Sequence, residues 1–127
     1  MKKTVYQFIE DLNNATTLEG VDIVILDANK ADLKTLDFAY FGAFAWEKKN
    51  EIKGVNYELP PSTVLAKAIY KMDSKEEFDT YLSSPREIGI PQNPFEALME
   101  RAAMSHIIDQ KREREGWAKP EPAEVKP

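Results

Sequence analysis

The chain has 127 residues, no Cys and one His, which excludes a disulfide framework, a thiol nucleophile, a Cys-based zinc site and a multi-His metal centre within one chain. Its 17 Lys and Arg against 22 Asp and Glu give a net charge of -5, spread evenly along the chain, without the basic excess of a general nucleic-acid binder or the dense acidity of a DNA mimic. A hydrophobic content of 43% suits one modest core, and no apolar run approaches the roughly 18–20 residues of a membrane span.

The spacing predicts an amphipathic helix over 4–15. Thr4 and Gln7 fit a capping box, and Val5, Phe8, Ile9 and Leu12 fall on one face. Residues 21–27, Val-Asp-Ile-Val-Ile-Leu-Asp, are β-branched and nearly all apolar, so they read as a strand buried on both faces. A short helical turn follows over 31–36. Aromatics at 38, 40, 44 and 46 alternate with Ala39, Phe41, Ala43 and Ala45. That period of two predicts a second strand over 38–47, with a helix as the rival because of the Ala content. A turn over 47–50 and a return strand over 51–59 complete a three-stranded sheet, with Gly54 at a bulge and Pro60 and Pro61 ending it.

Ser62 is placed as the cap of a helix over 62–72, and Ser74 with Glu77 as the capping box of a helix over 74–83. A loop over 83–92 is pinned by Ile88 and Ile90. The strongest signal is the last helix, 94–115, with Asn93 as N-cap, Pro94 at its first position and Gly116 as its stop. Three prolines and alternating charges then predict a disordered tail over 117–127. The expected fold class is α+β: a globular domain over 1–116, in which a small, about three-stranded sheet packs with about four helices. Met1, Lys2 and Lys3 precede Gln7, Glu10 and Asp11, which break the apolar core of a signal peptide, so a cytoplasmic location is expected.

Few residues point to chemistry. Asp27, at the exit of the first predicted strand, reads as a turn or cap before it reads as a site. His106 and Asp109 are three apart on a helix, but Ser105 points about 100° away, so no Ser-His-Asp relay forms. Asp73, Glu76, Glu77 and Asp79 crowd a helix start, where negative charge is favoured by the dipole, without calcium-loop spacing. Glycines at 20, 42, 54, 89 and 116 make no phosphate loop. No cofactor or metal is expected.

The last helix carries a broad apolar surface. Phe95, Leu98, Met99, Ala102, Ala103, His106 and Ile107 form a stripe, taken as the core face, and Met104 and Ile108 extend it sideways. Lys111, Arg112 and Trp117 form a basic, aromatic patch near its end. These observations predict a non-enzymatic accessory protein of adaptor or inhibitor type, in the style of phage and mobile-element proteins. It would bind a protein partner or a second copy through Met104, Ile108, Lys111, Arg112 and Trp117. Two alternatives stand beside it. One is a nucleic-acid-associated protein using the basic C-terminal segment. The other is a small-ligand binder or hydrolase built around 38–46 and Asp27.

Overall fold

A computed structural model of the chain describes residues 3–83 and 93–117. They form six α-helices: α1 (Val5–Asn14), α2 (Leu18–Lys30), α3 (Thr35–Lys53), α4 (Pro61–Ile69), α5 (Lys75–Ser83) and α6 (Pro94–Glu115). No strand occurs among the described residues, so the α+β expectation is overturned. The three segments assigned to a sheet are α2, α3, and the end of α3 with the irregular stretch after it. Of the loop expected over 83–92, Ser83 is the last residue of α5, and the rest, with Ile88 and Ile90, lies outside the described residues, as do tail residues 118–127.

The predicted α1 forms as its signals require. The Thr4 hydroxyl accepts from the Gln7 N–H, and the Gln7 side chain accepts in return from the Thr4 N–H at 2.7 Å. Val5, Phe8 and Leu12 are buried on the face the spacing indicates.

Segment 21–27 is helical because its start is capped and one stripe of it is buried. The Thr17 hydroxyl accepts from the Gly20 N–H at 3.0 Å and starts α2 three residues before the β-branched run. From there Val21, Val24, Ile25 and Ala28 fall at i, i+3, i+4 and i+7. Val21 and Ala28 are buried, and Val24 and Ile25 pack partly buried against the core. Ile23 and Leu26 point outward, at 55% and 52% exposure. The helix penalty for Val and Ile is under about 0.7 kcal/mol each, whereas burying such a side chain returns about 1.5–3 kcal/mol. Tertiary burial of one stripe therefore outweighs local β propensity. The turn expected over 31–36 is not a separate element. It is a tight link in which Asp32 takes φ +56°, a left-handed conformation that Asp tolerates better than most L residues, and α3 follows at once.

The period-two pattern of 38–47 misleads for another reason. α3 is the central helix: it packs against α1, α2, α4 and α6. A helix covered on every side loses its one-sided hydrophobic stripe. Its small positions admit neighbours closely; a Cβ added at Gly42 would lie 3.5 Å from the Thr63 methyl group. Its large ones fill the core, with Phe41 against Phe8 at 6.1 Å and Phe38 at 5.9 Å between ring centroids. Residues 47–50, expected as a turn, are helical. Gly54 is not a bulge but the left-handed residue that ends α3, at φ +68°, with the Val55 N–H donating to the Asn50 carbonyl at 3.1 Å. The return strand over 51–59 is thus the last turn of α3 followed by irregular chain.

Pro60 and Pro61 begin α4 rather than ending a strand. Pro61 sits in the first turn, where its missing N–H costs nothing, and Ser62 is inside the helix instead of capping it. α4 ends at Ile69, short of the predicted Met72. The Ser74 hydroxyl accepts from the Glu77 N–H at 3.2 Å, as the α5 cap predicts. At α6 the Asn93 side chain accepts from the Phe95 and Glu96 N–H groups at 2.9 and 3.2 Å, and Gly116 closes the helix at φ +74°. Its orientation is the surprise. Ile107 is buried, but Phe95, Leu98, Met99, Ala102 and His106, expected in the core stripe, face outward. The positions turned inward include Glu100 and Lys111, which an apolar pattern does not count.

Candidate functional site

The residues expected to bind a partner lie where α6 meets α4 and α5. Lys111 is 0% exposed. Its ammonium donates to the Tyr70 and Met72 carbonyls at 2.9 and 2.6 Å and to a Glu115 carboxylate oxygen at 3.3 Å. These carbonyls lie at the C-terminus of α4, where helix carbonyls lack intrahelical donors, so Lys111 caps α4 from another helix. Burial pushes the Lys111 ammonium below its ordinary pKa, and the hydrogen bond to Glu115 opposes that shift.

Arg114 lies 4.3 Å above the Tyr70 ring and also donates to the Tyr70 carbonyl. The Tyr70 ring stacks on Tyr40 at 3.8 Å, and its hydroxyl donates to Asp37 at 2.5 Å. Burial foremost, then this hydrogen bond, raises the Tyr70 phenol well above the ordinary tyrosine value. Arg112 lies 5.3 Å over the Phe78 ring, and Trp117 packs on the same ring at 5.3 Å. Trp117, assigned by sequence to the tail, is therefore folded back. Met104 and Ile108 rest partly buried against the core and, with Arg112, line a groove of about 440 Å³ bordered by Leu65 and Leu82. The structure brings these five residues together, and it engages Lys111, Arg112 and Trp117 within the chain.

The other candidates are kept apart. Asp27 lies on the exposed side of α2, whereas Phe38, Ala39, Gly42 and Trp46 of segment 38–46 line a depression that does not include Asp27. Ser105 and His106 are exposed on the outside of α6. Within the acidic group at the start of α5, Lys75 pairs with Asp79 at 2.9 Å.

The sequence reading missed a surface at the opposite end of α6. Phe95, Leu98 and Met99 are 69%, 65% and 56% exposed, and they follow one another at i, i+3 and i+4. Phe95 and Met99 form one wall of a groove of about 520 Å³ whose other walls are Trp46 and the chain from Leu59 to Pro61. Three carboxylates, Glu58, Glu96 and Glu100, complete the lining, and among the described residues no Lys or Arg takes part. Glu100 accepts from the Ser62 hydroxyl at 2.9 Å, which ties the start of α4 to α6 beneath the groove. A second depression of about 500 Å³ adjoins it through Trp46 and Pro60 and reaches the α2–α3 link at Asp32; among the described residues it too is lined without a cation. The sequence signal for this surface was the pair Glu100 and Lys111: reading both as inward positions turns Phe95, Leu98 and Met99 outward.

No family model, curated protein or solved structure matches the chain. Among the described residues, no helix is long and apolar enough to cross a membrane.

Proposed function

We propose that this chain is a non-enzymatic protein-interaction module, acting in the cytoplasm, whose docking face is the groove between α6 and the chain leading into α4. The observation that carries the reading is the exposure of Phe95, Leu98 and Met99 on consecutive turns, with Phe95 and Met99 lining one groove with Trp46. Single exposed apolar residues are ordinary, but a contiguous group of large ones with a groove beside it has the composition of an interface core. Met adds an adaptable contact, and aromatic side chains supply much of the energy at such centres. The cytoplasmic setting rests on the Cys-free composition.

A photo-crosslinking residue placed at Leu98 in cells tests the reading, with a second copy of the experiment at Glu76 on α5. The expected result is a discrete protein adduct from position 98 that disappears when Phe95 and Met99 are both changed to Ser, while the helical circular dichroism is kept. No adduct from position 98, or the same adduct from position 76, defeats the reading.

A further inference from the structure

We propose that the occupant of this groove is a cationic amphipathic segment of another protein, with apolar side chains seated on Trp46, Phe95 and Met99 and Lys or Arg side chains set against Glu58 and Glu96. The inference rests on the interaction reading above and adds the chemical class of the partner.

Charge carries the argument. Among the described residues, no Lys or Arg lines the groove or the depression that adjoins it. The carboxylates present are Glu58, Glu96 and Glu100 in the groove and Asp32 in the depression. Glu58 and Glu96 are exposed, and among the described residues no ion pair engages either of them. Glu100 accepts from Ser62 but retains lone pairs for a further donor. An apolar floor inside an acidic rim is complementary to a segment that is apolar on one side and basic at its edges. The same charges argue against a second copy of this chain. Two-fold pairing through the groove would set one acidic rim against the other, and like charges brought together at an interface oppose association.

The test uses defined probes: fluorescent amphipathic peptides that share a Leu face and carry Lys, Gln or Glu on the other. Fluorescence anisotropy is read with the full chain, with Phe95→Ser plus Met99→Ser, with Glu58→Lys plus Glu96→Lys, and with Glu10→Lys plus Glu76→Lys. The last pair reverses two exposed carboxylates away from the groove and so changes net charge equally. The proposal expects the Leu/Lys peptide to bind best, with added salt weakening it. The apolar double variant should abolish binding, the groove charge reversal should weaken it by about tenfold or more, and the distant reversal should leave it nearly unchanged. Equal loss in the two charge-reversed variants overturns the proposal as mere attraction to an acidic protein. If the Gln or Glu peptide binds as well as the Lys peptide and the Ser variants lose it, the charge assignment fails and the docking face stands. If no peptide binds but light scattering shows a dimer that the Ser variants dissociate, a second copy is the occupant, and the cationic partner is again overturned while the docking face survives. With neither peptide binding nor self-association, both readings fall.

Discussion

Lys111 and Tyr70 show how two polar side chains hold the C-terminal end of this molecule. Lys111 reaches across from α6 to the carbonyls that close α4, and the Tyr70 hydroxyl donates to Asp37 on α3, so α3, α4 and α6 meet in one polar cluster. Their perturbed titrations make a pH prediction. The Tyr70 phenol is raised in the folded state, so its contribution is complete below the ordinary tyrosine value near 10 and is lost as pH rises above it, where the unfolded chain ionises first. Lys111 is lowered, so over the range just under 10.5 the unfolded chain binds more protons at this position, and Lys111 works in the opposite sense there. Denaturant unfolding of the parent and of Tyr70→Phe separates the two. The variant is expected to be less stable at pH 7 by about 0.5–1.5 kcal/mol, the net worth of one hydrogen bond, and the difference should shrink as pH rises above 10. A constant difference from pH 7 to pH 11 would show that the phenol does not titrate as its surroundings dictate.

At the scale of the element, α2 is the sharpest test of helix against strand. A doubly buried strand over 21–27 would hide Ile23, whereas the helix hides Val21 and Ala28 and leaves Ile23 outside. Ile23→Glu is therefore expected to change stability by less than about 0.5 kcal/mol, as surface substitutions do. Val21→Glu buries an unpaired carboxylate and should unfold the chain or cost several kcal/mol. Thermal melts followed by circular dichroism read both, and the reverse order of sensitivity would restore the strand. Three of the helices legible in the sequence announce their ends with a side-chain cap or a closing glycine. Thr4 with Gln7, Ser74 with Glu77, and Asn93 with Gly116 all mark real helix ends. α2 carries an equivalent cap in Thr17, but its β-branched interior spoke louder than its start. α3 has no side-chain cap and reads as a strand; α4 has none either, yet it is legible as a helix over 62–72, although the pair of prolines at its start reads as the end of a strand.

At the scale of the whole molecule, stability converges on α3. Phe41 is buried in contact with Phe8 of α1 and Phe38 of its own helix, inside an element packed against four others. Phe41→Ala should cost about 3–5 kcal/mol, a large share of the roughly 5–15 kcal/mol that holds a domain of this size, and a loss below about 1 kcal/mol in chemical denaturation would remove α3 from the centre. The sequence by itself determined the places where covalent chemistry and side-chain caps act locally: the start of α1, both ends of α6, the exclusion of thiol and multi-His chemistry, and the existence of an apolar surplus on the last helix. Each is a property of neighbouring residues or of composition, so no distant contact was needed to read it. Tertiary structure decided whether 21–27 and 38–47 are helix or strand, because β propensity and a short period of two are local signals, and each segment takes the state that buries it best. It also decided which side of α6 faces in. Glu100 and Lys111 read as solvent-facing until Ser62 and the carbonyls of Tyr70 and Met72 are brought against them, and only that pairing turns Phe95, Leu98 and Met99 outward to form the groove.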